Sequence, residues 1–329
     1  MILSKFWSFI IFFSVFGLFA CNEQPDPQQR VVTTATQQVR IGYQKSSTLM
    51  TLLKQSGELE QALKAENINV SWHEFASGQP LAEALNAGSI DVTADVADTV
   101  PIFAQVAGAK LAYYAKEAAS PQAQAILIPF SSQIKSVVDL KGKKVAVTKA
   151  AGSHYLLIAA LQRAGLNFKD IQPAWLSPAD GRAAFENGSV DAWVTWEPYV
   201  SSGRVLQHAK TLISGQDLAD YQRYYLTSQQ FAQQHPEVLA LIINQLQQKA
   251  AWVKAEPEAA AKILAPLWGN LPLKVVEQAN TQRSYQVEAV DHQDLDKQQK
   301  IADRFYQENL IPNSIDKDQI VIFSFNGLL

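Results

Sequence analysis

The sequence predicts an α/β protein of two lobes, each built on a mostly parallel sheet, and two observations carry that prediction. The octet Ala84-Leu85-Asn86-Ala87-Gly88-Ser89-Ile90-Asp91 returns one hundred residues later as Ala184-Phe185-Glu186-Asn187-Gly188-Ser189-Val190-Asp191. The segments around each octet follow one order, strand-helix-strand-helix-strand, the alternation of parallel α/β units joined by right-handed crossovers. A length of 329 residues accommodates two such units at about 100 to 200 residues each.

In each octet a helix ends at Gly88 or Gly188, where a left-handed residue is needed, and a β-branched residue opens the next strand. Residues 39–43 and 144–147 are short apolar strands, each followed by Lys, small residues and an amphipathic helix; one helix opens at Ser46-Ser47-Thr48, its counterpart at Gly152-Ser153. Runs at 68–75 and 171–176 supply the intervening strands. One long doubly wound sheet is the alternative, because periodicity does not show where strand pairing stops. An apolar strand at 125–128 follows Pro121, and an aromatic strand at 221–226 follows the polar stretch 214–220, so the chain is expected to cross between lobes at these two places. Residues 39–120 and 222–329 then form the first lobe and residues 121–221 the second. Residues 235–255, 256–267, 273–284 and 291–309 read as helices punctuated by Pro236, Pro257, Pro272 and Pro312, and are expected to return to the first lobe.

With 28 basic against 31 acidic residues the net charge is -3, which leaves no electrostatic footprint for a nucleic-acid partner. The single Cys excludes a disulfide framework and Cys-rich metal sites, and no cofactor or metal is expected. Residues 1–20 carry Lys5 and then a largely apolar run, shorter than the about 20 residues of a membrane span, which reads as an export signal. Leu18-Phe19-Ala20-Cys21 resembles the lipobox of bacterial lipoproteins. On that reading Cys21 carries acyl chains that tether the protein to a membrane, in the periplasm or at the outer cell surface, without spanning it. Residues 21–38 have the composition of a flexible tether, so folding is expected to begin near Val39.

In open α/β sheets ligands sit beyond the carboxyl ends of the strands, where helices begin, and two lobes put two such rims face to face. Small and hydroxyl residues recur at both rims: Ser46, Ser47, Thr48, Ser77, Gly78, Thr99, Gly152 and Ser153. They suit an anion site made of helix N-termini, although Ser and Thr are also ordinary N-caps. Trp196 and Tyr199 lie at a strand end and a helix start marked by Pro198, placed to meet an apolar tail, while Trp193 is divided between core and site. Lys45 and Lys149, at equivalent loops, read as ligand-steering or as solvated surface charge.

These segments resemble the aliphatic sulfonate-binding proteins of bacterial ABC importers. Ile41-Gly42-Tyr43-Gln44-Lys45, Glu83 to Asn86 with Gly88 to Asp91, and Asp98-Thr99 with Pro101 to Gln105 are similar to the first-lobe motifs. Asp139 to Ala146, Ser153-His154, Asp170 to Pro173, Pro178-Ala179-Asp180 and Asp191-Ala192-Trp193 with Trp196 to Tyr199 are similar to those of the second. Val100 and Ala97 depart from the family's usual Pro and Gly. The resemblance implies a type II periplasmic-binding-protein fold, two lobes closing on a ligand in the cleft between them. It implies a monomer that takes a small anionic ligand, an alkanesulfonate, and delivers it to a permease with a separate ATPase. By position, Gln44, Ser46, Ser47, Gly78, Asp98, Thr99, Gly152, Ser153 and His154 would surround the sulfonate, with Trp196, Glu197 and Tyr199 facing the tail. Glu197 would either accept from the amine of a taurine-like ligand or cap the helix after Trp196. Taurine, nitrate and a thiamine precursor are the other ligands of the family.

An enzyme is the rival class, since the same fold resembles a eukaryotic thiamine-pyrimidine synthase. That chemistry consumes a His and uses a Cys-rich loop, whereas this chain has no Cys beyond Cys21. His73, His154, His208, His235 and His292 include no i, i+4 pair, and no Gly-x-Ser-x-Gly elbow is present. Catalytic residues are therefore not assigned. Recognition of a permanently ionised sulfonate requires donors and no base, so no Lys or Arg need touch it.

Overall fold

A computed structural model describes residues 37–324. The expected export signal, the expected acylation at Cys21 and the expected tether up to residue 36 lie outside the described residues. Strand β1 (Gln37–Tyr43) starts two residues before the expected Val39, because Gln37 and Gln38 already pair in parallel with Ile68 and Asn69 of β2 (Ile68–Glu74). The remaining strands are β3 (Val92–Thr93), β4 (Val96–Ala97), β5 (Leu111–Glu117), β6 (Gln124–Ile128), β7 (Lys144–Val147), β8 (Gln172–Trp175), β9 (Ala192–Trp196), β10 (Lys210–Ser214), β11 (Arg223–Ser228), β12 (Val287–Glu288) and β13 (Val321–Ile322).

They form two separate sheets, not one. The first runs β12-β5-β11-β3-β1-β2, with β13 on β5 and β4 on β11; the second runs β10-β6-β9-β7-β8. Each contains a parallel triplet, β2-β1-β3 in one and β8-β7-β9 in the other. Beyond the triplets both sheets turn antiparallel, β11 against β3 and β6 against β9. The expectation of mostly parallel sheets is corrected accordingly. Both β6 and β11 arrive directly from the other sheet, without the crossover helix that a parallel neighbour requires.

The two crossings run side by side, joined by Ser120 N–H to Asp220 O at 3.0 Å and Gly215 N–H to Pro121 O at 3.0 Å. The aromatic strand begins at Arg223, not Tyr221, because Tyr221 takes a positive φ of 50°.

The repeated octet is a structural device. Gly88 and Gly188 have φ of 69° and 73°. Asp91 accepts from Arg40 N–H at 2.7 Å, and Asp191 from Lys144 N–H at 2.8 Å, so each aspartate hooks the third strand of a triplet to the first.

Twelve α-helices complete the described residues: α1 (Thr48–Ser56), α2 (Glu58–Ala65), α3 (Gly78–Asn86), α4 (Thr99–Val106), α5 (Gly152–Arg163), α6 (Pro178–Glu186), α7 (Tyr199–Leu206), α8 (Gln229–Gln234), α9 (Pro236–Ala255), α10 (Pro257–Leu267), α11 (Leu273–Thr281) and α12 (His292–Gln307). On the first sheet, Val39 and Ile41 pack with Leu49, Ile243 and Leu264, while the opposite face gathers Leu81, Tyr113 and Tyr224. On the second, Val145 and Val194 pack with Leu157, while Ala146 and Trp193 pack with Phe185 on the other face. This is the two-faced alternation of a covered α/β sheet. Trp193 is thereby core, 2% exposed.

Helices α9 to α11 pack on the first sheet as expected, but α12 departs from it: Leu295 joins the first sheet's core, and Ile301, Ala302 and Phe305 join the second's. Among the described residues no helix is long and apolar enough to cross a membrane.

Candidate functional site

The carboxyl ends of β1, β2, β7 and β9 deliver the chain to loops that open helices α1, α3, α5 and α7, and these loops meet. Trp196, the last residue of β9, donates from Nε1 to Ser46 Oγ at 3.3 Å, and Thr99 Oγ1 donates to Ala150 O at 2.7 Å. Elements of both sheets are thereby tied across the cleft.

At the meeting point is a small pocket of about 20 Å³, walled by Gln44, Gly78, Gly152, Trp196, Tyr221 and Arg223. Gly78 and Gly152 are the first residues of α3 and α5, and neither helix receives a side-chain cap bond, from Ser77 or from Ala151. The glycines are there for space. A Cβ on Gly152 would stand 2.5 Å from Tyr221 Cε2, and one on Gly78 would stand 2.6 Å from Val100 Cγ2. Two helix N-termini without side-chain caps border one pocket, an arrangement of amide donors that is able to hold an anion.

Arg223 is the residue the sequence reading missed. It is 3% exposed, it pairs with Asp95 through its Nη2, and its Nε has no hydrogen-bond partner among the described residues. Arg283 lies behind it, donating to Asp95 at 3.0 Å, to Glu117 at 2.7 Å and to Ser46 O at 3.0 Å. Burial raises the Asp95 carboxyl above its ordinary range even beside both arginines. Burial also pushes Glu117 up, but Arg283 and Arg223 outweigh it and hold that carboxyl below its ordinary value. Two buried arginines against two buried acids balance in charge, so Arg223 can face an anion without being stranded when the pocket is empty. One sequence signal was available, an arginine at the head of the otherwise apolar run Tyr224-Tyr225-Leu226, but its partners Asp95 and Glu117 are too far along the chain for spacing to find.

Gln44 and Trp196 also border a chamber of about 490 Å³, walled in addition by Ser46, Phe75, Tyr199, Ser202 and Trp268. Trp196 and Tyr199 meet edge to face at 6.1 Å. The charged groups at this chamber each have a partner: Lys45 pairs with Glu74 at 3.6 Å, and Arg182 pairs at 2.7 Å with Glu186, which lies outside the lining.

Six of the residues singled out from the sequence, Gln44, Ser46, Gly78, Gly152, Trp196 and Tyr199, line one or both cavities. The other six line neither. Ser47 accepts from Gln44 N–H and donates to Asp95 O, both at 3.4 Å, closing the turn before α1. Asp98 accepts from Gln222 N–H at 3.2 Å, and burial pushes its carboxyl up to about 7. Thr99 is committed to Ala150. Ser153 is fully buried, with its hydroxyl lacking a partner among the described residues. His154 sits among Phe305, Trp175 and Phe168 at ring distances of 4.9, 5.0 and 5.3 Å, and burial drives its imidazole down to about 3. It is a neutral core residue.

Glu197 does not face the chamber. It accepts from Ser201 N–H at 3.0 Å and from Ser201 Oγ at 2.8 Å, which seals the first turn of α7, and burial pushes its carboxyl up to about 7. Of its two expected roles, the helix cap is the one that forms. Lys45 lines the chamber mouth, and Lys149 lies on a different groove beside α4.

Comparison with known proteins points the same way. A family model described as NMT1/THI5 like matches residues 63–260. A protein of Escherichia coli carrying the name of an aliphatic sulfonates-binding protein is 40% identical over 279 residues, 84% of this chain and 86% of that one. The alkanesulfonate-binding protein SsuA from Xanthomonas axonopodis pv. citri, solved bound to MOPS, is 36% identical with a TM-score of 0.81, over 87% of this chain and 98% of that one. The periplasmic aliphatic sulphonate binding protein SsuA from Escherichia coli is 39% identical with a TM-score of 0.78, over 87% and 97% of the two chains.

Proposed function

The chain belongs to the NMT1/THI5-like family and, within it, to the aliphatic sulfonate-binding proteins, and we propose that it is the substrate-capturing component of an ABC importer for aliphatic sulfonates. One observation carries the reading: the uncapped ends of α3 and α5 and Arg223, whose Nε has no partner among the described residues, line one pocket that adjoins an aromatic-walled chamber. A sulfonate is ionised at every cellular pH and needs donors, which these groups supply. Charge-assisted hydrogen bonds are worth roughly 1.5 to 3 kcal/mol each, so about five match the ~8 kcal/mol of micromolar binding before ordering and desolvation costs.

In this reading the first-turn amides of α3 and α5, Gln44 and Arg223 hold the head, Ser46 stands at the junction, and Trp196 and Tyr199 meet the tail. Ser47, Asp98, Thr99 and Glu197 keep the loops in place, while His154 packs among aromatic rings. The engagement of Glu197 by Ser201 argues against taurine, whose amine would need a free carboxylate. The lobes, residues 39–120 with 222–329 and residues 121–221, open and close about the paired crossings. The ligand passes unchanged to a permease driven by a separate ATPase, and a lipid on Cys21 keeps the protein at the membrane.

A thermal-shift series over butanesulfonate, taurine, sulfate and nitrate tests the ligand, since a ligand specific to the native state raises apparent stability by RT ln(1 + [L]/Kd). Butanesulfonate is expected to give the largest shift. A larger shift with sulfate or nitrate overturns the assignment. Nuclear magnetic resonance of the recovered ligand, expected unchanged, tests the absence of turnover.

A further inference from the structure

One wall of the large chamber is Trp268, at the end of α10. The next turn, Gly269 at φ 84° and Asn270 at φ 57°, sends Leu271 back to the same chamber. The indole is pinned in place, because its Nε1 donates to Lys45 O at 2.6 Å, on the loop that leads from β1 to the anion pocket. The segment after α10 thus reaches the chamber through Trp268 and Leu271.

Size and charge then decide what suits the chamber. Pockets of about 300 to 1,000 Å³ hold ligands of drug size, and this one is about 490 Å³. A one- or two-carbon tail would leave nearly all of it to water. Of the charged groups that line it, Lys45 pairs with Glu74, and Arg182 is held by Glu186 outside the lining, so none is left unpaired to ask for a charge on the tail. Phe75, Trp196, Tyr199 and Trp268 supply flat apolar surface.

We infer that Trp268 is a specificity-determining residue, closing the tail chamber so that the site selects sulfonates with long or ring-bearing uncharged tails over those with one or two carbons. The inference rests on the sulfonate reading and adds the tail class and the residue that sets it.

Isothermal titration of the whole protein with methane-, butane-, octane- and cyclohexanesulfonate tests it. Affinity is expected to rise by about fourfold per buried methylene until the chamber fills. The W268A variant is expected to lower the octane-to-methane affinity ratio at least tenfold, whereas W268F, which keeps a ring and loses the Nε1 donor, largely retains it. A ratio near one in the native protein overturns the inference and leaves the sulfonate reading standing. An unchanged ratio in W268A also overturns it, including when both affinities fall together. Absence of binding by every sulfonate in the series overturns the functional reading itself.

Discussion

Ser77 and Ser177 stand at equivalent places in the repeat, each immediately before a helix, and they behave in opposite ways. Ser177 seals α6: its Oγ accepts from Asp180 N–H at 3.2 Å and donates to the Asp180 carboxylate at 2.7 Å. Ser77 makes no side-chain cap bond to α3. The cause is the third helical residue. In α3 it is Pro80, which has no N–H for a serine to accept, while α6 places its proline, Pro178, at the first position and Asp180 at the third. Gly78 consequently brings an open helix end to the small pocket, and Pro178 brings a ring to the edge of the large chamber. A hydroxyl before a helix therefore does not mark an anion site; the residue three positions further on decides whether the end is open.

The strongest way to break the contrast is to fill the open ends. G152A places a methyl 2.5 Å from the Tyr221 ring. Overpacking of this kind costs about 1 to 3 kcal/mol, here set against the ligand's own space. Sulfonate affinity is expected to fall by up to about 150-fold, while circular dichroism stays native. Titration showing full affinity in a folded G152A protein would remove the α5 end from the site.

Arg223 is next in expected effect. R223K keeps the positive charge beside Asp95 and deletes the free Nε, so the loss is that of one charge-assisted bond, roughly 1.5 to 3 kcal/mol or about 10- to 100-fold in Kd. Its neighbour Arg283 donates to Asp95, Glu117, Ser46 and Thr48. R283K is expected to cost stability more than affinity, measured by urea denaturation beside titration. The reverse ranking would assign the anion to Arg283.

How much of the molecule was legible in the sequence depends on the range of the interactions involved. The octets are local: Gly88 and Gly188 need positive φ, and Asp91 and Asp191 reach one strand over, so a pattern eight residues long specifies a turn and a strand pairing. The helix starts at Gly78 and Gly152 were legible for the same reason. Arg223 was not, because Asp95 lies far earlier in the chain and Arg283 far later, and only the folded first sheet brings them together. Nor was Trp268, which reaches Lys45 across 223 residues. His154 was placed beside the sulfonate, and Glu197 was left between amine acceptor and helix cap, for a third reason. A residue just past a helix start, or just before it, turns its side chain to core or cap according to rotamer and neighbours, which spacing does not encode.

A milder test works on the sealed end of α6. S177A removes the acceptor for Asp180 N–H and is expected to destabilise by about 0.5 to 2 kcal/mol, with sulfonate affinity unchanged within twofold. S77A is expected to leave the denaturation midpoint unmoved, since its hydroxyl caps nothing. Equal destabilisation by both variants would erase the difference between the two serines.

A pH dependence is expected at the two helix starts that hold buried acids. Glu197 closes α7 and Asp98 holds the entry to α4, and burial pushes both carboxyls up to about 7. In the unfolded chain both titrate near about 4. Between these values the folded state binds more protons than the unfolded one, so the contribution to stability is full below pH ~4 and is lost as pH rises through about 7. The thermal midpoint is therefore expected to fall from pH 5 to pH 8. E197Q, which still accepts from Ser201, should flatten part of that slope, and D98N another part. If the midpoint of E197Q follows the same slope as the native protein, Glu197 is ionised throughout and its carboxylate acts as a fixed charge at the α7 terminus, where the helix dipole would favour it.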